Sequence, residues 1–204
     1  AAMAKVGGAP VRGRRRAIGT TMLGLTTTCA TTAREYLEGW DFEVVTFHPN
    51  GAGGRCLERL LNEDVLQGVL DVSLQELTGY VCHGLFDAGP DRLVAAGKRG
   101  LPQVIVPGGI DYIVSGSVAS LSPELKRRSY IVHNPNITLV RTSTEEMVGI
   151  AKLLTERLNA AKGPTTVLMP ARGLSESNRP GQELYLPEAD AAFLEELTTG
   201  LSER

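Results

Sequence analysis

A chain of 204 residues, 42% hydrophobic, with a formal net charge of −2 and a pI of about 6.0, is long enough to bury the core of one domain. That balance gives no broad basic field for nucleic acid, and no apolar run reaches the roughly 18 residues a membrane span needs. Cys29, Cys56 and Cys82 are odd in number and lack CxxC pairing, which favours small packing residues in a reducing, cytoplasmic setting over disulfides or zinc.

Residues 1–16, AAMAKVGGAPVRGRRR, mix small residues, glycine and arginine without an apolar period, and are expected to form a disordered lead or interlobe linker. Residues 17–204 read as a single domain. Ala17 to Thr20 is a short apolar strand, and the threonine run after it opens a helix whose buried face is expected to carry Cys29, Ala30, Ala33, Tyr36 and Leu37. Glu43 to Phe47 is a second strand. It runs into FHPNGAGGR, where Gly51, Gly53 and Gly54 permit a tight turn and close backbone approach before a helix with Cys56, Leu57, Leu60 and Leu61 inward.

Gly68 to Asp71 is a third strand, ending on a carboxylate, and Ser73 with Glu76 has the spacing of a capping box. The segment from Tyr80 to Asp87 fits no single period. AGPDRLVAAGKRG predicts a helix with Pro90 in its first turn and Gly100 closing it, followed by a fourth strand, Gln103 to Val106. Pro107 to Ser129 lacks a helical period where a crossover helix belongs, so a lid is expected there. Tyr130 to His133 is a fifth strand. Ser143 and Glu146 then cap the strongest helix, with Met147, Ile150, Ala151, Leu154 and Leu158 on one face. Gly163 and Pro164 stop it, Thr166 to Met169 is a sixth strand, and a last helix opens at Pro187 after a long loop.

Six apolar strands alternating with helices predict an α/β fold, a doubly wound, mostly parallel, six-stranded Rossmann-like sheet with helices on both faces. Ligands of such sheets bind at the carboxyl ends of the strands, where the strand order reverses. With the order 3-2-1-4-5-6, Thr20, Thr21 and Met22 would face Gly108, Gly109 and Asp111. The glycine turn with Arg55 would lie one strand away, joined by Asn134, Asn136 and Arg141 from the fifth loop and Arg172 from the sixth. Free N–H groups at the glycine turn, threonine hydroxyls and arginines, with few carboxylates, point to an anionic ligand. A tight turn with no ligand would use glycine as well. His48 and His133 each follow a strand and could meet in one crevice as acid–base groups, with Asp71 or Asp111 orienting one of them. Each could equally donate to a backbone carbonyl in a turn. Cys29 at a helix start is read as packing, and no metal-spaced cluster occurs.

The blocks IGTTMLGLTTTCATTARE, FHPNGAGGR, GVLDVSLQEL, AGPDRL, PQVIVPGGIDY, HNPNITLVRT and AKGPTTVLMPARGLS, in that order, resemble the second half of the plant tobamovirus-resistance ATP-binding domain family, also called uncharacterised protein family 0261. The resemblance runs from about Ala17 to Leu197. It implies one lobe of a tandem Rossmann-like pair, with ATP as ligand, magnesium entering only with the nucleotide, dimerisation, and a first lobe of the same protein as partner. It also implies ligand contacts at Thr20, Thr21, Gly51, Gly53, Gly54, Arg55, Gly108, Gly109, Asn134, Asn136 and Arg172. Thr28 departs from the family pattern, where proline is expected. Two other readings stand beside this one: an enzyme acting on a small phosphorylated or carboxylated substrate through His48 or His133, and an interaction or dimerisation module without ligand.

Overall fold

The computed structural model describes residues 16–202, so the lead expected over residues 1–16 lies, except for Arg16, outside the described residues. Five parallel strands form the main sheet: β1 (Ala17–Thr21), β2 (Glu43–Phe47), β3 (Gly68–Ser73), β4 (Gln103–Gly108) and β8 (Thr165–Val167), in the order β2-β1-β3-β4-β8. A second, antiparallel sheet contains β5 (Tyr112–Ser115), β6 (Tyr130–Asn134) and β7 (Ile137–Arg141), in the order β5-β7-β6.

Two expectations change here. The parallel sheet has five strands, because the segment expected as its fifth, Tyr130 to His133, pairs antiparallel with Ile137–Arg141 across a tight turn. The region expected to be a lid supplies β5, whose Tyr112 to Ser115 pair with Arg141 to Thr138. The strand order reverses between β1 and β3, not between the first and fourth strands, so Thr21 and Ser73 flank the reversal.

The helices are α1 (Thr27–Gly39), α2 (Ala52–Asn62), α3 (Gln75–Cys82), α4 (Ala95–Arg99), α5 (Thr144–Asn159) and α6 (Pro187–Gly200). The capping box on α5 forms: Glu146 N–H donates to Ser143 Oγ at 3.2 Å and Ser143 N–H to Glu146 Oε2 at 2.7 Å. Ser73 and Glu76 do not cap α3, whose N-cap is Leu74. The helix expected over residues 88–100 keeps only its last turns, and Gly100 closes it at φ 69° as its position predicts.

One face of the parallel sheet is sealed. Ala17, Phe47 and Val69 pack on Leu57 and Leu61 of α2 and on Ala95 and Ala96 of α4, and Ile105 joins the core of α3, α5 and α6. The opposite face is more open. In the row Thr46, Thr20, Leu70, Val104 and Thr166, Thr20 is buried and the other four are half-buried or exposed, and α1, which packs on β1 and β2, buries only Ala30 fully. Tyr36, on the stripe expected to face inward, is 66% exposed, and Trp40 just beyond the helix is 70% exposed. Among the described residues, no helix is long and apolar enough to cross a membrane, and the three cysteines are free thiols.

Candidate functional site

The glycine turn is filled from within. Gly51 N–H and Gly54 N–H donate to Glu76 Oε1 at 2.6 and 2.9 Å, and Gly53 N–H donates to Asn50 Oδ1 at 3.3 Å. Glu76 is fully buried, and its other oxygen accepts from Arg92 Nε at 2.7 Å. Close approach explains each glycine. A Cβ at Gly54 would lie 2.0 Å from Glu76 Oε2, one at Gly53 would lie 1.8 Å from His48 O, and Gly51 sits at φ 95° with Asp87 O 2.6 Å from its missing Cβ. The amides expected to hold an external anion thus hold a carboxylate of the same chain. Arg55, also expected there, is exposed and donates to Asp87 O at 3.0 Å.

Arg92, 1% exposed, ties three carboxylates together. It donates to Asp71 through two bonds of 2.6 and 2.9 Å, to Glu76, and at 3.4 Å to Glu58. Burial opposes the Arg92 charge, but the surrounding carboxylates outweigh it and push its pKa up. Glu58 caps the N-terminus of α4 by accepting from the amides of Leu93, Val94 and Ala95. Burial nevertheless moves its carboxyl above the usual range, against the pull of Arg92 and those amides. Thr21 Oγ1 donates to Asp71 Oδ1 at 2.6 Å and accepts from Ser73 N–H at 2.8 Å, which fastens the two strands at the reversal point. Asp71 therefore serves this network and orients neither histidine. The sequence signal for the network was two carboxylates, Asp71 and Glu76, inside the largely apolar run GVLDVSLQEL.

Among the clefts along the carboxyl edge are two that share Leu25 in their lining. The larger, about 680 Å³, lies over the open face of the sheet. Val72, Val106 and Gly108 form its floor, Thr28, Cys29, Ala33 and Tyr36 of α1 one wall, and Arg172 to Glu176 with Arg179 the other. Arg179 pairs with Glu176 at 3.1 Å, while Arg172 is exposed and has no ion pair among the described residues. Cys29 is exposed on this wall, against the expectation that it packs. Beneath the wall, Ser175 Oγ donates to Asp111 Oδ2 at 2.7 Å, and burial pushes the Asp111 carboxyl up to about 6.

The smaller cleft, about 390 Å³, lies between the two sheets and brings together His48, His133 and Asn134 with Tyr112, Phe86 and several aliphatic side chains. The two histidines do meet in one crevice. His48 Nδ1 lies 3.3 Å from Met22 O, the turn contact that was the simpler expectation for it, and Asp111 is committed to Ser175 rather than to either ring. Asn136 N–H donates to Asn134 Oδ1 in the β6–β7 turn. Gly109, at φ 71°, makes the turn from β4 toward β5 and donates to Leu174 O at 2.8 Å. Thr20 is buried, with a hydroxyl that has no hydrogen-bond partner among the described residues. Of the expected site residues, Thr21, Gly51 and Gly54 join the charge network, Gly108 and Arg172 line one cleft and Asn134 the other, while Thr20, Gly53, Arg55, Gly109 and Asn136 line neither cleft.

The C-terminal domain model of uncharacterised protein family UPF0261 matches residues 15–204. A UPF0261 protein of Clostridium tetani is 40% identical over 92% of the chain, which covers 46% of that protein. The ToMV resistance protein Tm-1(GCR237) of Solanum lycopersicum is 33% identical over 88% of the chain and 24% of its own length, and the ToMV susceptible protein tm-1(GCR26) of the same plant matches equally. The chain spans about half the length of the bacterial relatives. Resistant and susceptible tomato proteins share this region at the same identity, so the likeness itself carries nothing about resistance. With the matched profile running from the edge of β1 to the last residue, the chain belongs to uncharacterised protein family UPF0261 and carries its C-terminal domain.

Proposed function

We propose that this domain is a binding module for an anionic, nucleotide-like ligand, held at the carboxyl edge of the parallel sheet in the Gly108–Arg172 cleft. The observation that carries the reading is an exposed Arg172 without an ion pair, set in a cleft of about 680 Å³ beside the point where the strand order reverses. Arg172 supplies the charge for a phosphate or carboxylate, Thr28 and Thr32 supply hydroxyls, and the apolar wall of Leu25, Ala33, Tyr36 and Val106 suits a flat base. Magnesium enters only with the nucleotide, through its phosphates. The glycine turn and the Arg92 network act as scaffold, fixing the strand ends below the cleft.

The half-covered face beside this cleft fits one lobe of a longer protein, since about half of each bacterial relative lies outside the matched region. A cytoplasmic, homo-oligomeric protein with a first lobe over that face is the form we propose. Thermal unfolding against ATP, ADP and pyrophosphate, with and without magnesium, tests the binding. A ligand at about a hundred times its Kd adds roughly 2.7 kcal/mol, a rise of about 5 to 10 °C for a chain of this size. The parent protein should show that rise, and Arg172→Gln should melt like the parent and lose it. No rise with any anion leaves the interaction-module reading in its place.

A further inference from the structure

Three arginines are buried among the described residues: Arg92, Arg141 and Arg157. Two of them are paired. Arg92 holds Asp71, Glu76 and Glu58, and Arg141 holds Asp190 at 2.6 Å. Arg157, 9% exposed, makes no ion pair among the described residues. Its guanidinium donates to the carbonyl oxygens of Arg92 and Pro90 and lies over the Tyr80 ring, 5.7 Å from the centroid. Carbonyls occupy N–H donors without neutralising the charge, so a buried cation held this way stays uncompensated. Burial accordingly pulls the Arg157 pKa down, where carboxylates push that of Arg92 up. Glu58, foremost of the charges that favour the Arg157 cation, is already held by Arg92 and by the amides that begin α4.

Arg157 lines a cleft of about 520 Å³ that shares no lining residue with the Arg172 cleft or the histidine cleft. Lys98, in the last turn of α4, and Lys162, just before β8, line it as well. Lys162 N–H donates to Gly97 O at 2.8 Å, which sets the two segments side by side where the chain enters β4 and β8. Both lysines are exposed, neither makes an ion pair among the described residues, and Glu156 is the one acid in the lining. The C-terminal ends of α4 and α5 favour cations and account for the lysines. They do not account for a desolvated guanidinium in the same cleft.

Three cations against one carboxylate leave a surplus of two positive charges, which matches a dianion. A phosphate monoester carries about −1.5 to −2 at neutral pH, and arginine forks fit its oxygens. Pro90, Val94, Leu153 and Tyr80 supply apolar surface beside the cations, suited to the body of such a molecule. We propose that this cleft is a separate anion site, taking a small phosphate monoester with an apolar body, its phosphoryl group set among Arg157, Lys98 and Lys162. The site is independent of the nucleotide reading and lies toward the amino edge of the parallel sheet, away from the Arg172 cleft.

NMR and calorimetric titration of the 204-residue chain with phenyl phosphate, beside inorganic phosphate and benzoate, tests it, at about 0.15 M salt to screen diffuse attraction to exposed lysines. The expected result is saturable binding of phenyl phosphate, at least about tenfold tighter than inorganic phosphate, which lacks the apolar body, and than benzoate, which carries a single charge. Shifts should fall on the Arg157 Nε–H and on the amides of Val94, Lys98 and Lys162, with affinity unchanged in Arg172→Gln. The double variant Lys98→Gln, Lys162→Gln alters two exposed side chains, so folding survives, and should weaken binding at least about tenfold. Benzoate binding as tightly as phenyl phosphate overturns the dianion, and inorganic phosphate binding as tightly overturns the apolar body. Absence of binding, affinity untouched by the double variant, or shifts confined to the Arg172 cleft overturns the site.

Discussion

Replacing Glu76 with glutamine tests whether the glycine turn is held by a carboxylate from within. Glu76 Oε1 accepts from the Gly51 and Gly54 amides and Oε2 accepts from Arg92 Nε, so three donors converge on one carboxylate. A carboxamide has one acceptor oxygen. If that oxygen stays with the glycines, its NH2 group meets Arg92 Nε–H, donor against donor. A charge-assisted hydrogen bond of about 1.5–3 kcal/mol is lost and a buried donor is left unmet at about 1–3 kcal/mol. Arg92 keeps its two bonds to Asp71, so its charge is still compensated. We therefore expect a loss of about 3–5 kcal/mol, the range for breaking a buried ion pair. Urea unfolding at neutral pH should show it as a lower midpoint with an unchanged slope, and thermal unfolding as a drop of roughly 6 to 20 °C. In Glu76→Ala, formate should restore part of the loss by occupying the vacated position, while leaving the parent protein unmoved. A glutamine variant within about 1 kcal/mol of the parent would refute the reasoning, because the amides and Arg92 would then have found partners elsewhere.

The other outcomes follow from single residues. Burial raises the folded Asp111 carboxyl to about 6, above its unfolded value, so its charged form is penalised in the fold and the penalty grows as pH rises from about 4 to about 6. Asp111→Asn, which keeps an acceptor for Ser175, should be more stable than the parent by about 1–3 kcal/mol at pH 8 and indistinguishable at pH 4 in chemical denaturation. Gly53→Ala should destabilise strongly, since its Cβ would lie 1.8 Å from His48 O, whereas Gly24→Ala, with nothing within 4 Å, should be neutral or better in the same thermal assay. Thiol labelling should find Cys29 and Cys56 fast and Cys82 slow, because burial pushes the Cys82 thiol up to about 12. A ligand seated in the Arg172 cleft should protect Cys29 and leave Cys56 reactive.

Much of the fold was written in local pattern. The four N-terminal parallel strands, the capping box of α5 and the closing Gly100 fall where period and cap chemistry place them, because those signals act over a few residues. The strand order did not show, since it depends on which crossovers reverse. Tyr130 to His133 has the apolar run of a parallel strand, yet the Asn134–Asn136 turn folds it back on Ile137 to Arg141. Cys29 and Tyr36 lie on the apolar stripe of α1 yet are exposed, because an amphipathic stripe says which side of a helix is apolar, and not whether anything covers it. At the site, FHPNGAGGR announced a place where amides meet an anion. What spacing could not tell is that the anion is Glu76, a residue that local reading assigned to a cap three positions from Ser73. Arg172 and Gly108 reach one cleft, and the two histidines another, through tertiary placement alone.

The most direct measurement is an amide NMR titration of the 15N-labelled chain with magnesium–ATP and with pyrophosphate. The account predicts shifts concentrated at Thr28, Cys29, Gly108 and Arg172 to Ser175, with Gly51 and Gly54 unmoved because Glu76 already holds their N–H groups. Shifts centred on Gly51, Gly53 and Gly54, or no shift anywhere at saturating anion, would contradict it.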